Sequence, residues 1–265
     1  MVRQRPYDMG DKHLILSDIH ENGIAVRNFL KKANGRFDDI WLLGDVFGHS
    51  EESVGSWQLD GTSFSGVEQL FDFPIFCVWG NWEYWLSHPE NDQKNSAQKS
   101  HEESLNSRRK LFSSDPYKKI IDSVSEHDIL LLPEDSPQFT LFHGCCFSCQ
   151  QNSEYSPAPW ESYLLPHDIN TVTREIFGKP ETLQTDHFLF GHTHIAGFFV
   201  YSKSTMVTMW RVFSKNMLET TIDYSNENQR FGINPGSAGI SVNGSPRTAI
   251  LMDTKERVFQ YLTDD

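Results

Sequence analysis

The chain has 265 residues, a formal net charge of −13 and a sequence pI of about 5.2. Hydrophobic residues make up 38% and charged residues 22%, a balance that excludes a disordered chain and allows one substantial core. The strong negative charge repels polyanions, so duplex nucleic acid is not expected as a partner.

Neither end of the chain nor any internal run predicts a membrane segment. No stretch of about 18 apolar residues occurs, and the N-terminal segment Met1–Asp11 is polar. Four cysteines, three of them clustered at 145–149, are too few for the disulfide framework of a secreted domain. We therefore expect a cytoplasmic protein with reduced thiols and no membrane partner.

The first half of the chain predicts a parallel β-α-β unit. A strand is expected over His13–Ser17, a helix over Gly23–Ala33, and further strands over Asp39–Leu43 and Pro74–Trp79. Open α/β sheets bind ligands in the loops that follow the carboxyl ends of such strands. The polar residues of these loops are therefore the first candidates for a functional site.

The rest of the chain predicts an insertion and a second sheet within one domain spanning residues 1–265. Residues 87–125 are rich in Lys, Glu, Ser and Asn, which favours a helical insertion or cap, with a solvated excursion as the alternative. Short strand-like runs then follow, and together they predict a second, more antiparallel sheet. These runs are Phe139–Phe142, His187–Phe190, Gly197–Tyr201, Thr205–Val212 and Thr248–Asp253.

Potential metal ligands recur where the predicted strands end. Carboxylate oxygen, imidazole nitrogen and amide oxygen all suit Mn, Fe, Zn or Ni. A single Asp or His at a strand end is ordinarily a turn residue or a satisfied polar group, but unrelated turns have no reason to produce this series. The series comprises Asp18, His20, Asp45, Asn81, His143, His192 and His194.

These residues lie in five ordered motifs, and with them the chain resembles the calcineurin-like metallophosphoesterases. The motifs are Asp18-Ile19-His20, Gly44-Asp45-Val46-Phe47-Gly48, Gly80-Asn81-Trp82-Glu83, His143-Gly144 and Gly191-His192-Thr193-His194. Each motif alone is weak, whereas five in the correct order are highly specific. The chain is similar especially to the branch with a serine before the first motif, here Ser17, and a late segment Asn234-Pro235-Gly236-Ser237.

The resemblance implies a fold, a metal site and a reaction. The fold is a four-layer α-β-β-α sandwich of two mixed sheets, in the α/β (α+β) class. Two divalent or trivalent ions (Mn, Fe, Zn or Ni) are implied, and attack on phosphorus by a metal-bridging hydroxide. One ion is assigned to Asp18, His20 and His194, the other to Asn81, His143 and His192, with Asp45 between them; Asp45, Asn81 and His143 are also implied to be catalytic.

Trp82 departs from the family's commonest form, in which a His after the Asn is thought to assist the leaving group. An indole supplies no titratable proton near neutral pH. Family members without this His resemble phosphodiesterases that act on good leaving groups, so a small phosphorylated substrate, a small-molecule or nucleotide-type diester, is favoured. The alternatives are a phosphomonoesterase, a nucleotide pyrophosphohydrolase, or a non-catalytic interaction module.

Gly48-His49 replaces the Asp-Arg-Gly continuation of the Ser/Thr protein phosphatases. Without that Arg, the bidentate clamp expected for a phosphomonoester dianion is missing, which disfavours protein phosphatase activity. His49 is a candidate substitute donor to the substrate, and a water-exposed loop histidine is an equal alternative.

Several other features carry weaker hypotheses. Glu83 and Asn22 are candidates for orienting the ligands, and the 234–237 motif is predicted to be a structural turn. Cys145, Cys146 and Cys149 are expected to be thiols that support the site. A zinc site is less favoured, because it needs about four ligands. The aromatic residues at 79, 82, 84 and 85 are expected to pack in the core rather than to stack on a base or aryl group.

The histidines outside the motifs are expected to be ordinary polar residues; they are His13, His88, His101, His127, His167 and His187. The sequence makes no prediction about oligomeric state.

Overall fold

The computed structural model describes residues 9–48, 66–87, 129–144, 162–179, 183–218, 220–241 and 245–264. Twelve strands lie in this part of the chain: β1 (Lys12–Leu16), β2 (Asp39–Leu42), β3 (Ile75–Cys77), β4 (Ile129–Leu132), β5 (Phe139–Phe142), β6 (His187–Leu189), β7 (Gly197–Ser202), β8 (Val207–Val212), β9 (Ile222–Asp223), β10 (Gln229–Asn234), β11 (Thr248–Asp253) and β12 (Val258–Thr263). The helices are α1 (Gly23–Ala33), α2 (Asn81–Ser87) and α3 (Ile169–Thr171), which continues as a π-helical segment over Val172–Phe177. Single 3₁₀ segments cover Val67–Asp72 and Lys215–Met217.

The strands form two mixed six-stranded sheets. The first has the order β3-β2-β1-β11-β12-β9 and the second β4-β5-β6-β10-β7-β8. In the first sheet β1, β2 and β3 are parallel, and in the second β5, β6 and β10 are parallel. The remaining neighbours pair antiparallel. The carboxyl ends of both parallel groups lead into the loops that carry the motifs.

The predicted elements are largely confirmed, with one error of placement. The helix Gly23–Ala33 and the strand Phe139–Phe142 have the predicted bounds, and the other predicted strands are recovered within two residues. The prediction that Thr248–Asp253 belongs to the second sheet is wrong, because β11 pairs antiparallel with β1, on the side away from β2. Alternating polarity identifies a strand but does not choose its sheet.

Packing produces the predicted four layers. A core that includes Trp41, Phe139 and Phe231 fills the space between the sheets. α1 packs its buried face, with Val26 and Phe29, against the outer side of the first sheet. Residues of the 164–177 segment cover the outer side of the second sheet. The two sheets thus hold each other by apolar burial, and their polar loops are left at one edge.

Some predictions fall on residues outside the described part of the chain. Of the predicted insertion at 87–125, only Ser87, the last residue of α2, is described. His49 and the cysteines at 145, 146 and 149 are also outside it. Among the described helices, none combines the length and apolar character needed to cross a membrane.

Candidate metal centre

Loops from both sheets bring the seven predicted ligands together. The potential ligand atoms of Asp18, His20 and His194 lie within 4.8 Å of one another, as do those of Asp45, His143 and His192. Within the second group, His143 Nε2 lies 3.3 Å from Asp45 Oδ2. The two groups adjoin, because the same nitrogen lies 3.9 Å from Asp18 Oδ1 of the first group.

Asn81 completes the second group from the start of α2. Its Oδ1 lies 3.2 Å from His143 Nε2, so an amide oxygen faces the same space as the imidazoles and carboxylates. Grouping these residues by distance therefore gives the same two ligand sets that the resemblance implies. Asp45 lies in the set that contains Asn81 and His143.

Buried polar atoms without partners show that the donor set fits metal ions. Asp18 Oδ1, His20 Nδ1 and His192 Nε2 are buried and have no hydrogen-bond partner. Leaving such atoms unsatisfied in a protein interior is costly, and a cation is the partner that carboxylate oxygen and imidazole nitrogen share. The residues present thus suit transition-metal ions.

The backbone fixes His143 in the tautomer that a metal requires. Its Nδ1 donates a 2.6 Å hydrogen bond to the carbonyl oxygen of Leu43, so in the neutral ring Nε2 carries the lone pair. Burial alone would lower the pKa of His143, but the carboxylates of Asp45 and Asp18 raise it to about 9. A cation at this position therefore competes with a proton.

Two of the other histidines and both aspartates are held in the protonation states that metals bind. Burial lowers the pKa of both His20 and His192 to about 4, so both rings are neutral at pH 7. Burial opposes ionisation of Asp18 and Asp45, but neighbouring histidines outweigh it and hold both pKa values below the ordinary value. Two neutral imidazoles and two ionised carboxylates thus line one buried space with His143 and with His194, whose pKa is raised by Asp18 against the effect of burial.

Five of the seven ligands have a left-handed backbone, which non-glycine residues rarely adopt. The φ angles are +52° at Asp18, +47° at His20, +51° at Asp45, +64° at His192 and +57° at His194. Such conformations cost of order 1–2 kcal/mol each and persist only where surrounding contacts impose them. Backbone bonds between loops supply part of that restraint, since the amides of residues 18 and 20 donate to the carbonyls of residues 44 and 45.

Ser17 and the amide of His192 orient the Asp18 carboxylate. Asp18 Oδ2 accepts hydrogen bonds from Ser17 Oγ at 2.6 Å and from His192 N at 3.1 Å, which leaves Oδ1 facing the ligand space. Gly191 makes this possible, because a Cβ there would lie 1.9 Å from Ser17 Oγ.

Glu83 orients the loop of Asp45, as hypothesised from the sequence. Its Oε2 accepts from the amides of Asp45 at 2.8 Å and Gly80 at 2.9 Å, and its Oε1 accepts from Phe47 at 3.1 Å. Burial and the nearby Asp45 raise the pKa of Glu83 to about 7. Asn22 acts differently: its Oδ1 caps α1 at Ala25 N, and its Nδ2 donates to the Gly239 carbonyl.

The 234–237 turn connects two ligand loops, which goes beyond the structural turn predicted from its composition. Asn234 Nδ2 donates to Gly191 O at 3.1 Å and to Thr193 Oγ1 at 2.9 Å. Ser237 Oγ donates to Asp18 O at 2.8 Å. This segment therefore holds the loop after β1 and the loop after β6 in register.

The aromatic residues around Asn81 belong mainly to the core. Trp79 and Trp82 are buried in the cluster that also contains α1, and Tyr84 and Trp85 pack against it. Gly48 gives the Trp82 ring its space, since a Cβ at Gly48 would lie 2.0 Å from that ring. Trp82 is therefore a packing residue at the position where the family commonly has a histidine.

Tyr163 is a neighbour of the site that the sequence did not reveal. Its ring stacks on His192, with ring centroids 4.1 Å apart and an interplanar angle of 22°. It lies in an irregular segment without a motif, so no periodicity or spacing marked it.

The described histidines outside the motifs have no place in the site. His13 is buried between Asp39 Oδ1, at 2.6 Å, and Thr254 Oγ1, at 3.1 Å. His187 is buried in the core and accepts a hydrogen bond from Phe231 N, and His167 has a largely exposed side chain. The other three lie outside the described residues.

A two-sheet sandwich with buried His, Asp and Asn side chains gathered at one edge defines a metal-binding protein of hydrolase type. Residues 12–257 match the model of the calcineurin-like phosphoesterase superfamily domain. The chain belongs to this superfamily, whose activity class is metal-dependent phosphoester hydrolysis.

Solved structures agree with this fold. A metallophosphoesterase from Sphaerobacter thermophilus is 18% identical with a TM-score of 0.60, and the match covers 95% of this chain and 87% of that one. The phosphoesterase Yfce from E. coli is 15% identical with a TM-score of 0.45, over 96% of this chain and 100% of that one. At 18% identity, the likeness to the Sphaerobacter protein shows the fold alone. No curated protein matches the chain by sequence.

Proposed function

We propose that the protein is a dinuclear phosphodiesterase that acts on a small-molecule or nucleotide-type diester. The observation that carries this proposal is the convergence of seven competent ligands into two adjoining groups. Two cations, when bound, would activate water for attack on phosphorus and neutralise the phosphoryl oxygens. Manganese and iron are the first candidates, and zinc and nickel also suit the ligands.

The protein's own side chains would position the ions and hold the metal ligands in place. Asp45 lies in the group with His143 and His192, and Glu83 fixes the backbone on either side of it. His143 is held through Leu43, so its Nε2 points into the ligand space. These restraints would lower the reorganisation needed during the reaction.

The preference for a diester with a good leaving group rests on Trp82. Its ring is packed in the core and has no proton to give near neutral pH, so no acid is supplied from that position. A leaving group that departs as a stable anion needs less such help. A phosphomonoesterase or nucleotide pyrophosphohydrolase is the second candidate, because the same ligands serve either reaction.

The test compares a diester with a monoester in the same metal-loaded protein. Bis(p-nitrophenyl) phosphate should be hydrolysed faster than p-nitrophenyl phosphate in the presence of Mn²⁺, and Asp45→Ala and His143→Ala should lose both metal and turnover. His167→Ala, which changes an exposed histidine, is the matched control and should keep both. Turnover that persists after complete metal removal would contradict the proposal, and a faster monoester would favour the second candidate.

A non-catalytic interaction module would keep the fold but lose the metal chemistry, and it would turn over neither ester. All seven ligand positions hold residues able to bind metal, which favours an enzyme. The cytoplasmic location, the small phosphorylated substrate, the lack of duplex nucleic acid and membrane partners, and the donor role of His49 stay predictions from the sequence.

A further inference from the structure

The ring of Tyr163 lies where the buried site reaches solvent. The aspartates, Asn81 and His143 are buried, and the side chain of His194 is 18% exposed. The Tyr163 residue, by contrast, is 55% exposed. Tyr163 is therefore a large side chain that both touches a predicted ligand and faces water.

One face of this ring is occupied and the other is open. The 4.1 Å stack on His192 covers the inner face, and the His192 ring lies 4.8 Å from the ring of His143, within the second ligand group. The exposed area of Tyr163 must then lie on its outer face and edges. A planar group placed there would be separated from the ligand space by the thickness of the Tyr163 and His192 rings.

We propose that Tyr163 is a specificity-determining residue whose outer face stacks on the nucleobase of a nucleotide-type phosphoester bound at the metal cluster. The proposal rests on the proposed function of that site. Aromatic rings favour stacked partners beyond simple burial, and binding sites commonly combine a few polar groups with such a surface. Because one face is fixed on His192, the ring loses little freedom when a ligand stacks on the other.

A purely structural role for Tyr163 makes a different prediction. If the ring only supports His192, its removal would weaken metal binding and leave any preference among phosphate esters unchanged. The two roles are therefore separated by measuring metal content and ligand preference in the same variants.

The experiment measures dissociation constants of adenosine 5′-monophosphate and ribose 5-phosphate, which differ only in the nucleobase, by calorimetry with manganese-loaded protein. The wild type should bind adenosine 5′-monophosphate about five- to tenfold more tightly than ribose 5-phosphate, the range expected for one partly exposed aromatic stack. Tyr163→Phe keeps the ring and should keep the preference. Tyr163→Ala should lose most of it and retain the wild-type manganese content.

Equal binding of the two ligands by the wild type would overturn the proposal, as would a preference that survives in Tyr163→Ala. Loss of manganese in Tyr163→Ala would assign the ring to support of His192 instead. Loss of the preference in Tyr163→Phe would assign it to the hydroxyl. Since these are binding measurements, a wild type that prefers adenosine 5′-monophosphate but hydrolyses no ester would refute the proposed function while leaving this inference intact.

Discussion

Replacing Asn234 by alanine should loosen the ligand loop at 191–194, because three hydrogen bonds of one fully buried side chain are lost. Its Nδ2 donates to Gly191 O at 3.1 Å and Thr193 Oγ1 at 2.9 Å, and its Oδ1 accepts from Gly236 N at 2.8 Å. The first two partners flank a predicted ligand on both sides. The substitution therefore acts on the site without touching a ligand.

The free energies of the lost hydrogen bonds and of the left-handed backbone conformations decide whether that loop keeps its shape. Three neutral hydrogen bonds contribute about 1.5–4.5 kcal/mol together, at about 0.5–1.5 kcal/mol each. The left-handed φ angles of His192 and His194 cost about 2–4 kcal/mol together. Because the two totals are similar, removal of Asn234 should let the loop relax away from the left-handed conformation.

The expected result is a loss of both stability and metal affinity. We expect Asn234→Ala to lower the free energy of unfolding by about 2–4 kcal/mol, measured by urea denaturation in the presence of a chelator. Manganese affinity, measured by competition with a fluorescent chelator, should fall about 10- to 100-fold, as for other residues that orient metal ligands.

Two further variants test whether the side chain of Asn234 holds the ligand loop. Asn234→Asp has the same shape but turns an oxygen toward the Gly191 carbonyl in place of an N–H donor, so it should not rescue metal affinity. Asn226→Ala changes an exposed asparagine just before the other end of β10 and should leave manganese affinity unchanged. Manganese affinity within twofold of wild type in Asn234→Ala, or full rescue by aspartate, would show that the turn does not hold the ligand loop.

Three other predictions concern the protonation of His187, the proton released from His143 and the space around Gly44. Burial lowers the pKa of His187 to about 3, whereas the unfolded chain takes up this proton near 6.5, so stability should fall as pH decreases from 6.5 toward 3. This amounts to about 2 kcal/mol between pH 6.5 and 5, and His187→Asn should show a correspondingly smaller difference in urea denaturation at these two values. Because the pKa of His143 is raised to about 9, Mn²⁺ binding at pH 7 should release about one proton from this residue, measured by calorimetry in buffers of different ionisation enthalpy; binding without proton release would contradict this. Gly44 has φ +84°, and a Cβ there would lie 2.6 Å from Gly80 N, so Gly44→Ala should cost about 2 kcal/mol or more by urea denaturation and lower manganese occupancy; an unchanged midpoint would refute the clash.

Sequence reasoning recovered the elements whose pattern is local. The helix Gly23–Ala33 has helical spacing and follows a capping asparagine, and both signals lie within a few residues of the element. β4, β9, β10 and β12 were missed, since none shows clean alternation between polar and apolar residues. β12 also pairs between β11 and β9, which are separated from each other in the chain. The prediction that Thr248–Asp253 belongs to the second sheet was wrong for a related reason, because the pairing of β11 with β1 spans more than 230 residues of sequence and leaves no local signal.

The same distinction applies to the site. The meeting of the seven predicted ligands could be predicted because motifs at strand ends specify both residue type and order, and the structure brings all seven side chains together. The contacts of Asn234 and the stack of Tyr163 on His192 were not predictable, since they depend on how distant loops approach one another. Trp82 was correctly favoured as a core residue, although the sequence gave no indication that Gly48 provides its space.

The site and the sandwich form together, because the bonds that orient ligands also join the two sheets. His143, after β5, bonds to Leu43 after β2, and the amide of His192, after β6, bonds to Asp18 after β1. Each bond links a loop of the second sheet to a loop of the first, so it exists only when the sheets are packed. Cations that bind the folded chain alone stabilise it by mass action, about 2.7 kcal/mol at 100 times the dissociation constant. Metal binding should therefore reinforce the packing of the whole sandwich as well as the local loops.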